Sequence, residues 1–203
     1  DALFAPSSAG MFAGDFVSHV AVGAEAEGME GSVRGGHFSG VATVVARLLA
    51  MTRPQRAYFG QKDAQQLAVV RRMCTDLGFP VEVVACPIVR EPDGLALSSR
   101  NVYLTQADRH AAPILYRALD EARARFRDGL RDRDALLRCA REVLATEPRC
   151  KVDYVEVRRG CDLAALPPGA VSGGRMLVAA RFGEGDGAVR LLDNLALDDE
   201  VAS

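Results

Sequence analysis

From Arg56 to Cys86 the chain offers a strand, a helix and a second strand within about thirty residues, and this succession restricts the fold more than any other feature. Arg56-Ala57-Tyr58-Phe59 is a short strand closed by Gly60. Leu67, Val70, Cys74 and Leu77 then keep helical spacing up to Gly78, and Val81 to Cys86 reads as a buried strand. Two strands separated by a helix cannot form a tight hairpin. They lie parallel, joined by a right-handed crossover, and the fold class is α/β.

The flanks differ in character. Residues 1–40 are rich in small residues and read as long loops, with one possible strand over Phe16–Val20. From Ser39, read as an N-cap, the positions Val41, Val44, Val45, Leu48 and Leu49 form the apolar stripe of an amphipathic helix that ends near Thr52, ahead of Pro54. Past Pro87, Glu91-Pro92-Asp93-Gly94 is turn chemistry, and a domain boundary is placed between residues 88 and 89. Residues 106–128 and 132–146 read as two charged helices. Val152–Val157, Met176–Phe182 and Val189–Asp193 read as strands of a short antiparallel sheet, so residues 89–203 form a smaller α+β domain.

Charge narrows the partners. The 203 residues carry 25 basic and 27 acidic side chains, a balance that recommends neither nucleic acid nor a membrane surface. No apolar run approaches the roughly 20 residues needed to cross a bilayer, and a cytoplasmic location is the simplest expectation. Five widely spaced cysteines without a C-x-x-C pair read as buried or incidental thiols, and the three histidines assemble no metal site. Only two basic residues are lysine, Lys62 and Lys151, which raises the question of what arginine would not do at those positions.

Chemistry concentrates in three segments. Gly60-Gln61-Lys62-Asp63 lies at the carboxyl end of a strand and opens a helix, where unpaired N–H groups favour an anion. Gly60 lets a phosphate approach, Lys62 meets it as a mobile charge, and Gln66 is placed to face the same crevice. The segment reads equally as an ordinary capped βα loop with Asp63 as the N-cap. In the second segment, Leu97-Ser98-Ser99-Arg100, two hydroxyls precede a guanidinium fork. That composition suits a polyphosphate, or a solvated loop whose serines cap the next turn. The third runs from Glu30 to Gly40 and holds Arg34, suited to an anionic substrate, and His37, which reads first as scaffolding.

Taken together, Arg34-Gly-Gly-His-Phe-Ser-Gly-Val-Ala-Thr-Val-Val, Tyr58-Phe-Gly-Gln-Lys-Asp-Ala-Gln-Gln-Leu and Val89-Arg-Glu-Pro-Asp-Gly-Leu-Ala-Leu-Ser-Ser-Arg-Asn resemble the pantoate-β-alanine ligase family. The resemblance continues through Val152-Asp-Tyr-Val-Glu-Val, Leu177-Val-Ala-Ala-Arg and Leu191-Leu-Asp-Asn. It implies a Rossmann-like nucleotidyltransferase domain with a smaller C-terminal lid domain, usually in a homodimer. Residues 1–88 then represent the ATP- and pantoate-binding domain. ATP and pantoate react with Mg²⁺ to give pantoyl adenylate and pyrophosphate, and β-alanine displaces AMP. By motif, Gly60, Gln61, Lys62 and Asp63 contact ATP, with Lys62 on its phosphates. Val89 contacts the adenine through its backbone. Leu97, Ser98, Ser99 and Arg100 hold the phosphates as pyrophosphate leaves, and Gln66 and Arg34 bind pantoate. The catalytic set is Lys62, Ser98, Ser99 and Arg100, and the resemblance does not name the Mg²⁺ ligands.

Departures from the family pattern accompany the match. The H-x-G-H signature, whose histidines bind ATP in that family, does not occur in these residues, and Asp1 corresponds to a point partway through the nucleotide domain. The expectation is an N-terminally incomplete enzyme holding roughly half of the family's site. The alternative is a non-catalytic nucleotide-binding or dimerising remnant. Gly35 stands where the family usually has proline, Gln61 where it has glutamate, and Leu97 where it has methionine.

Overall fold

The computed structural model describes residues 2–198. Backbone packing divides the chain into two units, Asp1–Phe59 with Gln65–Ala85, and Gly60–Ala64 with Cys86–Ser203.

In the first unit, two short helices, α1 (Ser8–Met11) and α2 (Met29–Val33), punctuate long loops ahead of α3 (His37–Thr52). Strand β1 (Arg56–Gly60), helix α4 (Ala64–Asp76) and strand β2 (Glu82–Cys86) follow. The strands form a two-stranded sheet whose first residues are neighbours. The Glu82 N–H donates to the Gln55 carbonyl at 2.9 Å, and the Arg56 guanidinium meets the Glu82 carboxylate at 2.7 Å. Strands that start side by side with a helix between them are parallel, as the sequence pattern requires. Phe38, Ala42, Ala46 and Leu49 of α3 pack with Val69, Val70, Met73 and Cys74 of α4, and Ala57 and Phe59 of β1, Val83 of β2 and Val81 just before it close the cluster.

Helix α3 departs from the sequence reading twice. It starts at His37, after Gly36 in the left-handed region (φ 75°), rather than after a Ser39 cap. Its buried face runs through Phe38, Ala42, Thr43, Ala46 and Leu49, and Val41, Val44 and Val45 of the expected stripe are only half-buried. The expected strand at Phe16–Val20 is also absent. That stretch is irregular and is held to α3 by side chains. The Val20 N–H donates to Thr43 Oγ1 at 2.9 Å, and the Arg47 guanidinium lies 5.2 Å from the Phe16 ring centre.

In the second unit, α5 (Gln106–Ala111), α6 (Ile114–Arg127) and α7 (Arg133–Ala145) precede three strands, β3 (Cys150–Arg158), β4 (Arg175–Phe182) and β5 (Val189–Ala196), ordered β3-β4-β5 and antiparallel throughout. The single helix expected over residues 106–128 breaks at Ala112-Pro113, because proline has no N–H to continue the ladder. Leu115 and Leu119 of α6, Leu136 and Leu144 of α7, and Met176, Val178 and Phe182 of the central strand form one core. All five cysteines are free, and burial pushes the Cys150 thiol up to about 12, which leaves it unreactive.

Asp108 ties α5 to the loop before β3. Thr105 caps α5, its Oγ1 accepting the Asp108 N–H at 3.2 Å and donating to the Asp108 carboxylate, to which Arg149 also donates at 3.0 Å. The Thr105 hydroxyl, followed by Arg149, holds this carboxyl below its ordinary value of 3.8 against the opposing effect of burial. A carboxyl lowered in the folded state stabilises fully above its unfolded value and loses that contribution as pH falls through the folded one. Asp108→Asn is therefore expected to flatten the acid limb: the urea midpoint should fall less between about pH 5 and about pH 3 than in the parent chain. An unchanged acid limb would remove Asp108 from the linkage.

Candidate active site

In the second unit, the turn after β1 is a 3-10 helix, Gln61–Asp63, that runs directly into α4. Gly60 is extended (φ −70°, ψ 133°), and a Cβ built on it meets nothing within 4 Å. Its backbone therefore does not require glycine, and the space beside it is open to a ligand. Asp63 is exposed and its carboxylate accepts no hydrogen bond among the described residues, so the capping role that the sequence offered is not taken up. Lys62 is half-buried. Among the described residues its ammonium makes no hydrogen bond or ion pair, and its charge is felt by the Asp193 carboxylate.

What holds this turn lies far away in sequence. Asn194 on β5, 1% exposed, donates through Nδ2 to the Gln61 carbonyl at 3.0 Å and to the Lys62 carbonyl at 2.8 Å. Its Oδ1 accepts from the Arg175 guanidinium on β4. Neighbouring Asp193 is gripped by both terminal nitrogens of Arg90, at 2.6 and 3.0 Å. Arg90 also donates to the Gly94 carbonyl at 3.0 Å and stacks 4.2 Å from the Tyr116 ring centre. Burial pushes the Asp193 carboxyl up, with Arg90, the Asn194 N–H and Lys62 opposing.

Arg90 belongs to a tight hairpin that delivers the second motif. The Glu91 N–H donates to the Leu95 carbonyl at 2.8 Å and the Leu97 N–H to the Val89 carbonyl at 2.9 Å. Gly94 turns the hairpin at φ 91°, where a Cβ would stand 2.3 Å from the Tyr116 ring, so only glycine fits. The hairpin runs into a 3-10 turn, Ser99–Tyr103, capped by Ser98, whose Oγ accepts the Arg100 N–H at 3.2 Å. Ser98 thus takes the capping role and keeps its own hydroxyl proton to donate. Leu97, Ser99, Arg100 and Val89 are exposed, and Arg100 reaches the Arg190 carbonyl at 3.4 Å. The second unit therefore brings together Gly60 to Asp63 with the hairpin from Val89 to Arg100, joined through Asp193 and Asn194.

Arg34 and Gln66 meet in the first unit. They line a cleft of about 690 Å³ with Gly36, His37, Val41, Val44 and Val45. The half-buried valines of α3 form its apolar wall, Val41 and Val45 also packing against the unit's core, and the arginine, histidine and glutamine are its polar groups. Arg34 Nη1 lies 3.0 Å from His37 Nε2. A guanidinium only donates, so Nε2 accepts and the ring proton sits on Nδ1. A cleft with an apolar wall, a fixed cation and a carboxamide suits a small hydroxylated carboxylate.

Sequence reasoning missed the residue that shapes this unit's loop. Gln65, 3% exposed, donates to the carbonyls of Glu25 (3.1 Å), Glu27 (3.1 Å) and Gly28 (3.3 Å) and accepts the Glu30 N–H at 3.0 Å. Gly31 completes the packing, since a Cβ there would lie 1.8 Å from the Ala26 carbonyl oxygen. The available signal was the polar Gln65 inside the apolar face of α4. Asp193 and Asn194 carried a similar signal as two adjacent polar residues between Leu192 and Leu195 of an apolar strand.

The family model for pantoate-β-alanine ligase matches residues 1–196. A pantothenate synthetase from Roseiflexus castenholzii is 50% identical over 198 residues, covering 98% of this chain and 69% of the relative. Another from Thermus thermophilus is 51% identical over 196 residues, covering 96% and 69%. A crystal structure of the Thermus thermophilus enzyme superposes with a TM-score of 0.90 at 50% identity, covering 97% of this chain and 70% of that one. The ligase from Francisella tularensis, solved with β,γ-ATP and β-alanine, superposes at 0.69 with 27% identity, covering 96% and 64%.

Gln65→Leu removes four hydrogen bonds and leaves the buried Glu30 N–H without this partner, which is expected to cost about 1–3 kcal/mol. Hydrogen exchange at the Glu30 amide should accelerate with it, and an unchanged rate would show that the loop is held by other means.

Proposed function

The chain belongs to the pantoate-β-alanine ligase family, and from that premise we propose that it condenses pantoate with β-alanine through a pantoyl-adenylate intermediate, using the two clusters described above. A pantoate carboxylate oxygen attacks the α-phosphorus of ATP, the bond to the β-phosphate oxygen breaks, and pyrophosphate leaves. The β-alanine amine then attacks the acyl carbon, AMP departs with the attacking oxygen, and the amine's proton is lost to solvent. Neither step demands a strong acid or base from the protein. The first demands positioning, and stabilisation of negative charge that shifts onto the leaving pyrophosphate.

Lys62, Ser98, Ser99 and Arg100 are the groups suited to that charge: a mobile ammonium, two hydroxyl donors and a guanidinium fork. Gly60, Gln61 and Asp63 line the nucleotide's approach. Gln61 keeps the hydrogen-bonding capacity of the usual glutamate without its charge, which suits contact with an anion. Leu97 changes the shape of that wall and not its chemistry. Val89 meets the adenine through its backbone, with its carbonyl already accepting the Leu97 N–H. Gln66 and Arg34 bind pantoate, Arg34 at the carboxylate and Gln66 at the hydroxyls, against the wall of Val41, Val44 and Val45. The single observation that carries this reading is the Lys62 ammonium, which has no hydrogen-bond or ion-pair partner among the described residues and is set on a turn fixed by the Asn194 amide.

Mg²⁺ fits as an ion carried on the ATP phosphates. Among the described residues no three His, Cys, Asp or Glu side chains converge as a cage, and Mg²⁺ is commonly held by one or two carboxylates with phosphates and water. The exposed Asp63 carboxylate would be such a ligand, and the bound ion would offset phosphate charge. Among the described residues no helix is long and apolar enough to cross a membrane. The family resemblance adds a homodimer and a cytoplasmic location, and sedimentation at twice the 21.7 kDa chain mass would support the former.

The test is pantoate-dependent exchange of pyrophosphate into ATP. Lys62→Ala is expected to slow exchange about 10²- to 10³-fold with an unchanged melting curve. Gln66→Ala should chiefly raise KM for pantoate. Exchange unaffected by Lys62→Ala would take Lys62 out of the mechanism.

A further inference from the structure

A lysine on a flexible four-carbon stem can serve a reacting phosphate only as well as its backbone is placed. The backbone that carries Lys62 is a three-residue 3-10 turn, Gln61–Asp63, between β1 and α4, and such turns bond less well than an α-helix. Both carbonyls that precede Asp63 in this turn are taken up by one side chain, the Asn194 amide, at 3.0 and 2.8 Å. With its third bond at Oδ1 to Arg175, Asn194 has both amide hydrogens and its oxygen committed. The orientation of the amide follows from these partners. Carbonyls accept only from the NH₂ end, and a guanidinium donates only to the oxygen.

Asparagine is the one side chain of this size able to do this. Aspartate would set a carboxylate against two carbonyls, leucine would leave them unpaired in a buried place, and glutamine is one methylene too long for a site 1% exposed. The residue before it serves the other phosphate-facing loop, since Asp193 holds Arg90 and with it the hairpin that ends in Ser98, Ser99 and Arg100. Two consecutive residues of β5 therefore set the register between the lysine turn and the serine-arginine turn.

We propose that Asn194 is a positioning residue for adenylation, which acts by fixing the Gln61 and Lys62 carbonyls and so the base of the Lys62 side chain. The proposal rests on the reading of Lys62 as the ammonium on the ATP phosphates. It separates Asn194 from an ordinary buried amide, because its loss acts on the reaction through Lys62 alone.

A double-mutant cycle in the full chain reads this directly, with pyrophosphate exchange as the assay and thermal melts recorded in parallel. Asn194→Ala is expected to lower kcat about 10- to 100-fold, the scale of a misplacement near 1 Å, with KM for pantoate within about threefold. The double variant Lys62→Ala/Asn194→Ala should be no slower than Lys62→Ala, since a residue that works through Lys62 has nothing left to position. Multiplying effects in the double variant, or a wild-type kcat for Asn194→Ala, would overturn the positioning role while leaving that of Lys62 intact. Exchange unaffected by Lys62→Ala would overturn both. Should Asn194→Ala not fold, Arg175→Met, which removes the donor to Oδ1 and keeps the Asn194 amide, goes through the same cycle. There, a kcat defect that vanishes on the Lys62→Ala background supports the proposal, and an undiminished or absent defect refutes it.

Discussion

Irregular backbone beside a binding site still has N–H and C=O groups that need partners, and most of the functional segments here are irregular. Neither the loop from Glu25 to Glu30 nor the turn at Gln61 and Lys62 belongs to a sheet ladder. Each is satisfied by a buried carboxamide: Gln65 for the loop, Asn194 for the turn. Arg90 does the same for the hairpin that carries the serine-arginine motif, donating to the Gly94 carbonyl while Asp193 neutralises it. The scaffolds of both units, a βαβ element and helices on an antiparallel sheet, serve to carry these side chains to the loops.

Chemistry follows from what those supports leave free. The Lys62 ammonium, the Ser98 hydroxyl proton and the exposed Ser99 and Arg100 all offer donors, which suits a reaction whose difficulty is charge on phosphate oxygens. The cleft of the first unit has the other character, with an apolar wall of three valines, a guanidinium and a carboxamide, the composition on which the proposed pantoate site rests. Asn194 on β5 donates to both carbonyls of the turn at Gln61 and Lys62. This explains why Gly60–Ala64 groups with Cys86–Ser203, and not with the strand and helix on either side of it.

Much of this was legible from periodicity and motif. The strand-helix-strand element, the long charged helices and the antiparallel tail follow from apolar spacing and breakers, and the three motif segments stand out by composition. The rest failed for identifiable reasons. Val41, Val44 and Val45 belong to the expected apolar stripe but are only half-buried, because a helical stripe does not say how much of it faces protein and how much lines a cleft; Val41 and Val45 do both. Phe16–Val20 read as a strand because alternation cannot reveal that Thr43 supplies the partner for its backbone. The helix over residues 106–128 read as unbroken although Pro113 interrupts it. Asn194 was invisible as a positioning residue because its partners lie about 130 residues away, and local pattern carries no information at that range.

The order of bonds made and broken supplies the most direct test. With both carboxylate oxygens of pantoate labelled by ¹⁸O, attack on the α-phosphorus followed by amine displacement sends one label into AMP and leaves the other in the amide of the product. The account predicts singly labelled AMP, formed only when pantoate, β-alanine and MgATP are all present. Label in orthophosphate with ADP as the nucleotide product, or AMP without label, would contradict an acyl-adenylate route and with it the roles given to Lys62, Ser98, Ser99 and Arg100.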